Sequence, residues 1–143
     1  MNRSTLKSIG AVVAGFVAVL VLSIGTDILL VRTGLFPSES EQPLYVWWML
    51  LLALVYRTLY GVVGGYLAAR LSPSRPMRHA IILGIIGLAT GILGTIANWS
   101  KVSPSTEWYP ILLIVFLFPS LWIGGKLGSR SFADASKEAF SDR

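Results

Sequence analysis

Four long apolar stretches, separated by short polar ones, set the pattern of the chain. The first runs from Ser8 to Val31 between Lys7 and Arg32, broken only by Asp27. The second, Leu44 to Ala69, carries one charge, Arg57; the third, Ala80 to Ala97, and the fourth, Trp108 to Gly125, carry none. Each has roughly the 17–25 residues that a helix needs to cross about 30 Å of hydrocarbon. Membrane strands would instead show segments of about ten alternating residues, and the chain has no such pattern. The pattern therefore predicts an all-α polytopic membrane protein with four transmembrane helices. Residues 1–128 form the membrane domain, and residues 129–143 form a cytoplasmic tail.

Punctuation supports these limits. Ser38 with Glu41 fits a capping box before the second span; alternatively Ser40 is the cap and Pro43 lies in the first turn. Pro73 and Pro76 end the second helix, and Ser105 or Thr106 caps the fourth. Pro119 lies inside the fourth span and removes one helix donor there, so a kink is expected. Tyr45, Trp47, Trp48, Trp99, Trp108 and Tyr109 form an aromatic belt at one interface, and Trp122 lies near the other. Ser23-Ile24-Gly25 resembles a signal-peptide cleavage site, but the apolar stretch is long for a signal, so a retained first helix is expected. In the tail, Phe132, Ala135 and Ala139 follow helical spacing, with Phe140 beside them. They suit either a short amphipathic helix at the inner interface or a disordered segment.

Charge gives the orientation. Arg3, Lys7, Arg70, Arg75, Arg78, Lys126, Arg130, Lys137 and Arg143 fall on one side of the predicted membrane, and only Arg32 and Lys101 on the other. Lys and Arg resist translocation, so both termini are expected in the cytoplasm. The formal net charge of +5 is then mostly a topology signal rather than a sign of nucleic-acid binding. Charged residues make up only 13% of the chain and mean hydropathy is +0.68, which suits lipid as the main solvent.

The same inventory limits the chemistry. There is no cysteine and one histidine, His79, so thiolate chemistry, HExxH zinc sites and bis-histidine haem ligation are outside the chain's means. No nucleotide-binding glycine motif is present. A non-enzymatic protein with no cofactor or metal is expected.

Glycines recur at helical spacing. Gly84, Gly87, Gly91 and Gly94 share one face of the third span, and Gly61, Gly64 and Ala68 share one face of the second. Lipid provides no hydrophobic drive between helices, so close approach over small residues must supply the packing energy. The short connection predicts that these two stripes meet. A weak repeat accompanies them. Ala11, Gly15 and Gly25-Thr26 match Ala80, Gly84 and Gly94-Thr95, and Gly64-Gly65-x-Leu67-x-x-Arg70 matches Gly124-Gly125-x-Leu127-x-x-Arg130. Two tandem helical hairpins of the same orientation would follow.

Asp27 and Arg57 are the two charges inside the spans. Each costs at least about 2.5–3.5 kcal/mol at the membrane centre unless it faces protein or water, so a pair is expected. Counted from the outer edge, Asp27 lies about 6 Å deep and Arg57 about 20 Å, a gap that a shift of span boundaries or a bridging water must close. Otherwise Asp27 sits at the wet interface and Arg57 snorkels or binds backbone carbonyls. As a functional site, Arg57 would hold an anion or Asp27 relay a proton, with Tyr60 the neighbour that shares the Arg57 face. Arg70, Arg75, Arg78 and His79 form a basic turn that carries the topology signal and suits contact with anionic lipid.

The stretch Arg57-Thr-x-Tyr60-Gly-x-x-Gly64-Gly-Tyr66-x-x-Ala69-Arg-Leu71-x-Pro73-x-Arg75-Pro-Met-x-His79-Ala80 and on through Gly84 and Gly87 resembles a motif of small uncharacterised bacterial four-helix membrane proteins. The resemblance implies a bacterial inner-membrane location and transfers no functional residue. It leaves two readings of function. One is a non-enzymatic accessory, assembly or lipid-interacting bundle, whose partners are the lipid bilayer and a membrane protein or a second copy. The other is a small oligomeric transporter or channel that uses Asp27 and Arg57.

Overall fold

The computed structural model describes residues 3–37, 46–97, 99–101 and 105–141. Four helices account for nearly all of them: α1 (Arg3–Arg32), α2 (Trp47–Arg70), α3 (Pro76–Ala97) and α4 (Trp108–Ser141), with one 3-10 turn at Trp99–Lys101. All four are long and apolar enough to cross a membrane. Sequence neighbours pack antiparallel, so α4 runs antiparallel to α3 and parallel to α2, as the pairing of Gly61 with Ser120 and of Gly128 with Tyr66 shows. The most extensive pairing is α2 with α4, followed by α1 with α2 and α3 with α4. For orientation, we call the end bearing Arg32, Trp47 and Trp108 the aromatic pole, and the end bearing Arg70, Arg75 and Lys126 the basic pole.

Helix ends differ from the sequence expectation in instructive ways. α1 starts at Arg3 rather than Ser8, so Arg3 and Lys7 lie in the helix. Its far end is closed by Gly34 in the left-handed conformation (φ 73°), with Gly34 N–H bonded to Val31 O and Leu35 N–H to Leu30 O, each at 3.0 Å. That is a Schellman closure, in which glycine removes the Cβ penalty. α2 begins after Val46, whose side chain makes no capping bond. The expected caps Ser38, Ser40 and Glu41, with Pro43 and Tyr45, lie outside the described residues. α3 begins with Pro76 at its first position, where the missing N–H costs nothing, so Arg78 and His79 belong to its first turn rather than to a loop. Arg75, just before it, adopts φ 50°, a conformation that a non-glycine residue rarely holds.

α4 does not stop near Gly125. It continues unbroken through Pro119 and Gly128 to Ser141, about 51 Å at 1.5 Å per residue. The tail is therefore a direct extension of α4, neither a separate interfacial helix nor an irregular segment. Phe140 on it is 84% exposed.

The interior is built from small residues. Ala11, Ala68, Ala69 and Ala80 are each at most 2% exposed, and Val12, Ala68, Leu83 and Leu121 form the core with Phe16 and Leu117 against it. Large apolar side chains such as Val21, Leu93, Ile96 and Ile111 face outward. This exterior suits hydrocarbon, and the small interior lets backbones approach closely.

The glycine stripes of α2 and α3 do not meet each other, as their connection had suggested. Gly61 faces Ser120, and Gly65 lies against the backbone of Leu121, both in α4. Gly64 lies against Gly15 and Val19 of α1. The α3 stripe also turns to α4: a Cβ at Gly84 would lie 3.3 Å from Phe118, at Gly87 3.4 Å from Leu117, and at Gly91 4.0 Å from Ile114. At Gly94 it would meet nothing within 4 Å, so Gly94 contributes no close packing among the described residues. Glycines of α4 are packed as tightly as those of α2. A side chain at Gly124 would strike the backbone of Val62 and Tyr66, and one at Gly128 would lie 2.6 Å from Tyr66 O.

Candidate functional site

Polar side chains bridge α1 and α2 in one layer, roughly one third of the way in from the aromatic pole. Arg57 Nη2 donates to Asp27 Oδ2 at 2.6 Å, and the two side chains are 36% and 33% exposed. Tyr56 Oη donates to the other carboxylate oxygen, Oδ1. One turn deeper, Thr26 Oγ1 and Tyr60 Oη share a hydrogen bond of 2.7 Å. The rings of Tyr56 and Tyr60 lie 5.7 Å apart. About two thirds of each side chain is covered by the bundle, so the ion pair is partly buried.

The expected depth mismatch closes for simple reasons. α2 starts at Trp47, three residues later than the Leu44 boundary, which brings Arg57 about 4.5 Å closer to the aromatic end of its helix. Side chains lean toward their helix N-terminus, so Arg57 reaches toward the aromatic pole and Asp27 reaches away from it. The two groups thus converge.

Two members of the layer, Tyr56 and Thr26, were not among the sequence candidates. Tyr56 binds Asp27, although it and Arg57 are adjacent residues on different faces of α2. The carboxylate sits between those faces and gives one oxygen to each. Tyr60, expected beside Arg57, instead pairs with Thr26. A Thr-Asp pair opposite Tyr-Arg with Tyr four residues later was the available signal, visible only if the α1–α2 register is known.

The pair lines two neighbouring cavities. One, of about 490 Å³, opens at the aromatic pole and is lined by Arg32, Phe36, Tyr56 and Tyr109 together with Asp27 and Arg57. The second, of about 280 Å³, lies between α1, α3 and α4. Its lining is mostly apolar, including Phe16, Leu20, Ile24, Leu113 and Leu117, and it too is bounded by Asp27 and Arg57. Asp27 gives one oxygen to Arg57 and one to Tyr56, so the guanidinium fork is not closed bidentately. Arg57 Nε is buried with no hydrogen-bond partner among the described residues.

The basic turn forms a second grouping. Arg75, Arg78 and His79 line a cavity of about 520 Å³ with Ser8 of α1 and Ser74, bordered by the exposed Ile81 and Ile82. His79 is buried, and its Nδ1 lies 3.3 Å from Arg75 O, which accepts the ring N–H. Arg70 stands apart from this set: its Nη1 donates to Ser131 O in the α4 extension at 3.3 Å. Near the same pole, Lys126 Nζ lies 4.4 Å from the centre of the Trp122 ring, a cation–π contact.

No family model, curated protein or solved structure matches the chain.

Proposed function

We propose that this is a non-enzymatic, lipid-interacting protein of the bacterial inner membrane, with both termini cytoplasmic and two tandem hairpins of the same orientation. The observation that carries the reading is the basic cavity at the α2–α3 turn. Arg75, Arg78 and His79, with the hydroxyls of Ser8 and Ser74, stand directly beside exposed isoleucines. This is the stacking of charge over hydrocarbon that an anionic phospholipid presents. The basic bias at this pole supports a cytoplasmic orientation, and α4 extends beyond it as a helix that offers a membrane-protein partner, or a second copy, a surface at the membrane edge.

The test is native mass spectrometry from nanodiscs containing phosphatidylglycerol and cardiolipin in a phosphatidylcholine background. The wild type retains anionic lipid after release. An Arg75→Gln/Arg78→Gln double variant retains at least about fivefold less. Equal retention by the two would refute the reading.

Transport, the second reading, draws support from Asp27 and Arg57 beside a cavity. Weighing against a conduit is the half of the bundle between those charges and the basic pole, where Gly15 meets Gly64, Gly65 meets Leu121 and Gly124 meets Val62 at backbone contact. A path through that half would require these backbones to separate.

A further inference from the structure

We infer that the Asp27–Arg57 layer is a binding site for an anionic amphiphile: a carboxylate or phosphate headgroup in the cavity at the aromatic pole, with one hydrocarbon chain in the apolar cleft between α1, α3 and α4. The inference is independent of the basic-turn reading, because these cavities share no lining residue with the basic cavity at the α2–α3 turn.

Three features fit together. The first is adjacency: Asp27 and Arg57 line both cavities, so a headgroup held at the guanidinium from the aromatic pole lies next to the apolar cleft. The second is charge. Among the described residues the cavity at the aromatic pole is lined by Arg32 and Arg57 against one carboxylate, Asp27, an excess of one positive charge that a single anionic headgroup would balance. The third is the geometry of Arg57. Asp27 occupies only Nη2, because Tyr56 takes its other oxygen, and Nε is buried without a partner. Carboxylates and phosphates bind arginine through adjacent N–H groups of the planar fork, and such charge-assisted bonds are about twice as strong as neutral ones. A cavity meant only to seal an ion pair would close the fork on Asp27.

The chain would enter where α3 and α4 part. The nearest atom to a Cβ placed along the α3 stripe recedes from 3.3 Å at Gly84 to 4.0 Å at Gly91, and at Gly94 such a Cβ meets none of the described residues within 4 Å. Gly87 and Gly91 both line the cleft, as do the hydroxyl-bearing Ser23 and Thr90. Gly91 therefore provides volume rather than contact. A leucine there would fill the cleft without forcing backbones apart, since its Cβ finds only ordinary contact.

The experiment measures binding of three probes of equal chain length, laurate, dodecyl phosphate and dodecanol, to the full chain in nanodiscs by native mass spectrometry. At least one anionic probe is expected to bind a single site at least about tenfold more tightly than dodecanol, the scale of a lost charge-assisted hydrogen-bond pair. Which anion binds more tightly separates a fatty-acid ligand from a lipid-phosphate one. Arg57→Gln should lose that preference. Because Arg57→Gln leaves Asp27 unpaired and can impair folding, two further variants keep the inference open to refutation. Arg32→Gln, at an exposed position, should weaken the anionic probe several-fold. Gly91→Leu should erase the advantage of laurate over octanoate, or of dodecyl over octyl phosphate. Equal binding of dodecanol and both anions, or undiminished anion binding in folded Arg32→Gln protein together with an unchanged chain-length advantage in folded Gly91→Leu protein, would overturn the assignment. The Arg75→Gln/Arg78→Gln variant should bind these probes as the wild type does.

Discussion

The two halves of this bundle are built by different means. Toward the basic pole, α1, α3 and α4 hold every one of their fully buried described residues: Ala11, Val12 and Gly15; His79, Ala80, Leu83 and Gly84; Ser120, Leu121, Gly124, Gly125 and Gly128. Toward the aromatic pole only α2 keeps buried positions, Leu50, Ala53, Leu54 and Tyr56. Glycine and alanine lock the first half by bringing backbones into contact. The second half is spanned by hydrogen bonds and an ion pair across α1 and α2; one cavity opens beside those bonds at the aromatic pole, and another runs from them down to Leu83 and Leu121. Rigidity has been concentrated where nothing polar is buried except Ser72, Ser120 and His79, and space has been left where charge needs neighbours or ligands.

Among α2 positions the comparison is broken most severely at Gly65. Gly65→Ala places a Cβ on the backbone of Leu121, where neither chain can yield by rotating a side chain. The expected loss is about 3 kcal/mol, at the upper end of overpacking costs, read by reversible SDS unfolding followed by circular dichroism. A loss under about 1 kcal/mol would mean that the locked half is looser than described.

A smaller effect is expected in the polar layer. Arg57→Gln should cost about 2 kcal/mol, less than a fully buried pair because both partners are about one third exposed, and the Asp27→Asn/Arg57→Gln double change should recover at least half of it. Tyr56→Phe should cost about 1 kcal/mol and lose its effect once Asp27 is replaced. Additive losses would show that these groups do not act together.

At the far end of the α3 stripe the sign reverses. Gly94→Ala meets nothing and removes glycine's conformational cost, so stability should hold or rise by about 0.5 kcal/mol. A clear loss there would extend the locked zone to the aromatic pole.

How much of this could be read from the residues follows from what each feature depends on. The four helices depend on local composition, and the apolar runs give them directly. Asp27 and Arg57 stood out because charge is so scarce around them. The pairing of glycine stripes was harder. A stripe marks a face but not its neighbour, and chain connection suggested α3 for α2 where packing selected α4. Gly124-Gly125-x-x-Gly128 had the required spacing, yet drew notice only as a repeat. Tyr56 was missed because same-face logic within α2 cannot describe a carboxylate that reaches between two faces. The extent of α4 was hidden by the change from apolar to mixed-charge sequence at Ser129, which marks a change of solvent and not an end of helix.

Thiol accessibility on α2 tests the contrast of halves most directly, and the absence of native cysteine leaves no background. Ala53 and Ala68 are both buried alanines of the same helix, but Ala53 lines the cavity at the aromatic pole, whereas Ala68 lies in the core cluster. In nanodiscs, Ala53→Cys should react with a small charged, membrane-impermeant thiol reagent at least about tenfold faster than Ala68→Cys. Equal inertness of the two would contradict the account, because Asp27 and Arg57 would then be a sealed staple in a uniformly closed bundle.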